Sequence, residues 1–222
     1  STTPPLVGAT LRAAARHPNV RMLNCSVDMP YPDLRTYYGR VYEGKFITGA
    51  IAGAMARDGM FGYVGSYPIY GVPASINAFA LGAKMVNPNV QIQLEWSCLP
   101  GDFLEKFRKQ GIKIVSNRDT PTPERRYTEY GTFMTDESGS FWPLASPVWN
   151  WGTLYERIVR SVLDDSWYQE LNGVRAVNYW WGMSSGVIDV MLDDCLPEGV
   201  RVLAQVLRRE IQSGQLSPFD RS

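Results

Sequence analysis

The sequence predicts an α/β fold: a mostly parallel sheet covered by helices. Three observations carry that expectation. Between Val20 and Asp119, short β-branched or aromatic runs alternate with stretches of helical apolar spacing, which is the rhythm of βαβαβ units. Pro, Gly and Asn fall where one period gives way to the other, as at Pro18-Asn19, Gly59 and Pro73. Hydrophobic residues make up 45% of the 222 and charged residues 20%, enough apolar material for one large domain or two small lobes and too much for a disordered chain.

Each element follows in order. A helix carrying Leu11, Ala14 and Ala15 on one face stops at Pro18-Asn19 and feeds the strand VRMLNCS. A helix entering a strand with no strand before it is half of a β-α-β unit, so residues N-terminal to this chain are expected to complete the sheet. After the turn DMPYPDL, Arg35 to Tyr42 reads as a strand. Glu43 to Arg57 is a helix with Phe46, Ile47, Ala50, Ile51, Ala54 and Met55 at helical spacing, and Gly44, Gly49 and Gly53 let it lie close to a neighbour. FGYVGSYP is a buried strand running into a loop, and Pro73 opens a helix buried through Ile76, Phe79, Ala80 and Ala83. NPNVQIQLEW is a turn and strand, Asp102 to Gln110 a helix, and GIKIVSNRD a strand. Glu129 to Phe133 and Phe141 to Ser146 are short strands around the turn DESGS. WGTLYERIVRSVLDD is a helix with Leu154, Ile158, Val159 and Val162 inward. NYWWGMSSGVIDVML supplies further short strands, with Trp180 and Trp181 read as core, and a last helix runs from Pro197-Glu198 to Ile211.

The composition removes several function classes. Lys plus Arg (22) equals Asp plus Glu (22), so the basic excess of a nucleic-acid binder is missing. One histidine, His17, sits at a helix end and disfavours His-built metal sites and Ser-His or Cys-His nucleophiles. Cys25, Cys98 and Cys195 are odd in number and far apart, with no C-x-x-C pair for zinc or redox work. No apolar run reaches the roughly 18 residues of a membrane span, and the opening residues do not have the charged start and apolar segment expected of a secretory leader. The G-x-S-x-G elbow, the P-loop and a strand-linked G-x-G-x-x-G are all missing, so the chain does not read as an enzyme, and it carries no metal- or cofactor-binding motif.

In open α/β sheets, ligands bind beyond the carboxyl ends of strands. Three loops occupy such positions. SYPIYGVP offers Tyr67 and Tyr70, SNRDTPTP offers Asn117, Arg118 and Asp119, and SPVWNWG sets Trp149 and Trp151 around Asn150. Aromatic faces beside Asp, Asn and Arg suit a planar or hydroxylated ligand, held by stacking and oriented by hydrogen bonds. Plainer roles stay open. Tyr67 and Tyr70 serve equally well to pack their loop, Asp119 to cap a turn, and one of the two indoles to fill the core.

The runs YEGKFITGAIAGAM, GYVGSYPIYGVPASINAFALGAKMVNP and LASPVWNWGTLYERIVRSVLD, with the later SGQLSPF, resemble the basic membrane protein (BMP) family of substrate-binding proteins, relatives of the purine nucleoside receptors of ABC transporters. The resemblance implies a type I periplasmic-binding-protein fold, two Rossmann-like lobes with mostly parallel sheets joined by crossovers, with ligand in the cleft between them. It implies residues 1–36 as the remainder of the first lobe, 37–145 as the second lobe, and 146–222 as crossover and C-terminal elements returning to the first. The N-terminal part of the first lobe is expected to lie outside this chain. Carried over by position, the implied ligand contacts are Asn24, Ser26, Tyr67, Ile69, Tyr70, Asp119, Trp149 and Trp151. The implied ligand is a purine nucleoside or base and the implied partner an ABC permease. The implied location is extracytoplasmic, membrane-bound only through a lipid anchor outside the chain. A cytosolic ligand-sensing regulator on the same fold is the alternative.

Overall fold

The strand runs pair into two sheets in a computed structural model of the chain, described for residues 1–26, 31, 34–56, 59–68, 71–118, 131–136, 138–168 and 177–219. Helix α1 (Val7–Arg16) ends at His17, just before Pro18, and leads to β1 (Leu23–Cys25). Strand β2 (Arg35–Gly39) turns within one residue into α2 (Val41–Met55). The alternation continues through β3 (Met60–Gly65), α3 (Val72–Val86), β4 (Gln91–Trp96), α4 (Phe103–Lys109) and β5 (Ile114–Ser116). Asp102 caps α4, its carboxylate accepting from the Glu105 N–H at 2.9 Å. The hairpin of β6 (Thr132–Thr135) and β7 (Phe141–Trp149) is followed by α5 (Trp151–Leu163), β8 (Asn178–Trp181), β9 (Ile188–Leu192) and α6 (Glu198–Gln212).

One sheet is β1-β2-β8, parallel throughout; the other is β4-β3-β5-β6-β7-β9. In the second, β4, β3 and β5 run parallel and the β6, β7 and β9 pairings are antiparallel, because β6 and β7 are joined by a tight turn rather than a helical crossover. The α/β class and the mostly parallel pairing expected from the sequence are thus observed. Of residues 146–222, α5 and β8 go to the first sheet, where the Tyr155 hydroxyl meets that of Tyr37 at 3.0 Å, whereas β9 pairs with β7 and α6 packs on α2.

Helix α2 is buried on almost every side, from Glu43 to Gly53, since it is packed by α3, α6, β7 and β9. Its contact with α3 is backbone on backbone. A methyl group added at Gly49 would strike the Phe79 carbonyl, and one at Gly82 the Phe46 carbonyl. Ile47, Ile51, Phe61 and Phe79 are completely buried in the main core around this crossing. The opposite face of the second sheet buries Val64, Phe107, Val115 and Phe133 beneath α4, so β3 is covered on both faces, as a parallel strand requires.

Two sequence expectations are corrected. Helix α5 turns Leu154, Ile158 and Ser161 inward and leaves Val159 and Val162 exposed, because its apolar stripe is wider than the surface it meets. In β8, Tyr179 is the core residue and Trp180 points to solvent, with its edge toward Tyr42, because successive strand residues face opposite sides.

Three connections between the sheets meet at one place. The Arg40 N–H donates to the Trp181 carbonyl at 2.7 Å, and Asn150 reaches the Val187 and Gly186 carbonyls at 2.8 and 3.0 Å through its main-chain and side-chain N–H groups. The Glu43 carboxylate accepts from the Met183 N–H at 2.6 Å and pairs with Arg40 at 3.3 Å. Burial pushes the Glu43 carboxyl above its ordinary pKa, against the opposing pull of these two partners. Gly182 has to be glycine, since a side chain there would occupy the space of the Glu43 carboxylate.

Candidate ligand cleft

Strands β2, β3, β5 and β7 all present an end to one cleft of about 230 Å³. Tyr38 and Val41 come from the β2–α2 junction; Tyr63, Gly65 and Ser66 come from the end of β3. The start of α3 adds Gly71, Val72 and Ser75, the end of β5 adds Asn117 and Arg118, and the end of β7 adds Trp149. Position follows from topology: parallel strands deliver their carboxyl ends to one side, and the inter-sheet connections deliver the rings.

The aromatic wall is a stack. Trp149 and Trp151 lie 4.7 Å apart with planes 10° from parallel, and Tyr38 meets Trp149 edge-on at 5.4 Å. Trp151 is backed by Tyr155 and by the edge of Tyr37, so Trp149 is the indole on the cleft and Trp151 its support. Gly39 makes this possible, because a Cβ there would come within 2.4 Å of the Trp149 ring, closer than a side chain tolerates. Strand β7 continues through Trp149, whose partner is Ile188, where the sequence suggested a loop from Ser146 onward.

The polar wall rests on a buried lysine. Lys45, on α2, is 1% exposed, and its ammonium donates to the Ser116 hydroxyl at 2.9 Å and the Asn117 carbonyl at 3.2 Å. It also stands 5.0 Å above the Tyr63 ring. The Asn117 N–H donates to the Gly131 carbonyl at 2.8 Å, so its main chain is fixed on both sides. Its carboxamide is 2% exposed and its Oδ1 has no hydrogen-bond partner among the described residues.

The sequence-derived residues divide clearly. Trp149 and Trp151 come together as above. Tyr67 is 57% exposed, one residue beyond Ser66 and off the cleft wall. Asn24 and Ser26 are buried at the end of β1; the Asn24 amide donates to the Ser1 hydroxyl at 2.7 Å and the Thr3 carbonyl at 2.9 Å, away from this cleft. Ile69, Tyr70 and Asp119 lie outside the described residues. Sequence reasoning did not choose Tyr38, Tyr63, Ser75 or Lys45. Lys45 carried a usable signal, being a lone cation inside the apolar run FITGAIAGAM's helix, where only a buried partner would justify it. Among the described residues no cluster of His, Cys, Asp and Glu could hold a metal ion, and no helix is long and apolar enough to cross a membrane.

Residues 4–100 match the family model of PnrA-like ABC transporter substrate-binding proteins, Bmp. The chain is 29% identical over 225 residues to a purine-binding protein of Brucella abortus, covering 95% of this chain and 62% of that protein. It is also 29% identical over 174 residues to a putative ABC transporter glucose-binding protein of Haloferax volcanii, covering 72% of this chain and 42% of the relative. The chain therefore spans about three-fifths or less of the length of these curated relatives. Among solved structures it superposes on an ABC solute-binding protein of Aeropyrum pernix with a TM-score of 0.64 at 12% identity, over 97% of this chain and 75% of that one. A transcriptional activator of the comK gene from Bacillus halodurans gives 0.65 at 14%, over 97% and 78%. The fold is that of the ABC solute-binding proteins, and the BMP resemblance read from the sequence holds.

Proposed function

We propose that this chain is the ligand-holding part of a receptor for ABC import, and that its ligand is a purine base or nucleoside. The observation that supports the ligand class is the cleft itself: an indole face stiffened by a second indole shares one wall lining with an asparagine and an arginine. A flat heteroaromatic ring gains from stacking and from in-plane hydrogen bonds together, whereas a hexose needs hydrogen-bonding groups around its whole rim. The name of the Brucella relative points the same way. In this reading Trp149 is the stacking surface, Trp151 holds it, and Ser26, Tyr67, Ile69, Tyr70 and Asp119 are further contacts, while Asn24 serves the chain start instead. The partner is an ABC permease, the location extracytoplasmic, and attachment to the membrane runs through a lipid anchor outside this chain. The ligand is released unchanged.

Thermal-shift screening of the full-length protein against purine bases and nucleosides tests this. A ligand at about 100 times its Kd should stabilise the fold by roughly 2.7 kcal/mol, a shift of several degrees. No shift with any purine at saturating concentration overturns the ligand class. The second reading, a ligand-sensing regulator, draws on the likeness to the comK activator, which concerns the fold alone. The residues encoded upstream decide between them: a lipobox supports the receptor and a helix-turn-helix the regulator.

A further inference from the structure

Within the purine reading, the buried carboxamide of Asn117 identifies which edge of the ligand is read. Asn117 lines the cleft, is 2% exposed, and leaves Oδ1 without a partner among the described residues. A buried carbonyl oxygen without a donor costs free energy, so such an atom on a residue that lines a ligand cleft points to a ligand donor as its partner. A primary amide carries a donor and an acceptor side by side, whichever way it is turned. Its complement is an edge with an acceptor next to a donor: N6–H with N7 or N1 in adenine, N1–H with O6 in hypoxanthine. Guanine shares the N1–H and O6 pair of hypoxanthine and adds a second donor at N2, so that its N1 and N2 donors together suit a carboxylate.

We infer that Asn117 is the specificity-determining residue of the cleft, pairing with the C6 edge of a 6-amino or 6-oxo purine whose ring lies against Trp149. This inference rests on the purine reading above. Lys45 is its positioning residue. Held inside α2, its ammonium bonds the Asn117 carbonyl and the Ser116 hydroxyl, while the Gly131 carbonyl takes the Asn117 N–H. With its main chain held from two directions, Asn117 leaves the end of β5 from a fixed Cα on the cleft lining.

The test is a titration series on the full chain and on Asn117→Asp, with adenine, hypoxanthine, guanine and unsubstituted purine. Asn117→Asp is nearly isosteric, and melting curves show whether it is folded. The unaltered protein should bind adenine or hypoxanthine about 10–100-fold more tightly than purine, which lacks the exocyclic group. In Asn117→Asp the preference between adenine and guanine should move toward guanine by at least about tenfold. If Asn117→Asp does not fold, Asn117→Ala takes its place: it should bring adenine down to the affinity of purine, and an adenine preference that survives it overturns the role of Asn117. Purines that bind with equal affinity whatever stands at C6, or an unchanged adenine-to-guanine ratio in folded Asn117→Asp, overturn the role of Asn117 and leave the purine reading standing. Binding of none of the four overturns the purine reading itself.

Discussion

Replacing Trp149 with alanine separates the ligand surface from its support. Trp149 is half-buried, stacks on Trp151 at 4.7 Å and meets the edge of Tyr38 at 5.4 Å. Full burial of a Trp makes its truncation cost about 3–5 kcal/mol; with half of the ring facing the cleft, the loss in stability should be about 2–3 kcal/mol. Removing the face on which a base stacks should weaken purine binding by about 1–3 kcal/mol, or roughly 5- to 150-fold. Trp151→Ala deletes a ring wedged between Trp149, Tyr155 and the edge of Tyr37, so its stability loss should be similar. Its binding loss should stay below about 1 kcal/mol, because that ring acts only through Trp149. The assay is calorimetric titration of both variants, well below their melting temperatures, alongside urea melts. If Trp149→Ala binds purine as the parent does, or Trp151→Ala is the weaker binder of the two, the assignment of cleft face and support is wrong.

Other outcomes follow from the same geometry. Gly82→Ala should destabilise by about 2–3 kcal/mol in urea melts, because its methyl group overlaps the Phe46 carbonyl where α2 and α3 touch; a loss below about 0.5 kcal/mol would mean the helices separate freely. The buried Glu43 carboxyl has a raised pKa in the folded state, so the unfolded chain ionises it first. Its contribution is therefore greatest below the ordinary carboxylate range and declines as pH rises toward the raised value. Glu43→Gln keeps an acceptor for the Met183 N–H and should flatten that decline in melting temperature, whereas an unaltered pH profile would show that Glu43 does not titrate between the two states. Asp102→Ala should cost about 1 kcal/mol through loss of the α4 cap, measured by thermal melting.

The sequence was most informative where a pattern is local. Period changes placed every strand and helix from α1 to β5, because a helix or strand buried on one face writes its own periodicity. It was least informative where the partner is distant. The Arg40–Trp181, Glu43–Met183 and Asn150–Gly186 contacts join residues 36 to 141 positions apart, and nothing in the intervening sequence marks them. The same limit explains Val159 and Val162, since helical spacing defines an apolar stripe without showing how much of it a neighbour covers. At the site, the indoles announced themselves by flanking Asn150 in the SPVWNWG run just before a helix. Tyr38 and Tyr63 looked like ordinary strand aromatics until topology set their strand ends around one cleft. Asn24 and Ser26 had the right residue types at a strand end, yet the chain start packs over Asn24 and spends its amide on Ser1 and Thr3.

The most direct measurement is isothermal titration of the full chain with adenine and hypoxanthine, repeated on Trp149→Ala. The account predicts a single saturable site per chain for at least one of them, weakened roughly 5- to 150-fold in the variant. No binding heat for either, or binding indifferent to Trp149, would contradict a purine cleft at the meeting of β2, β3, β5 and β7.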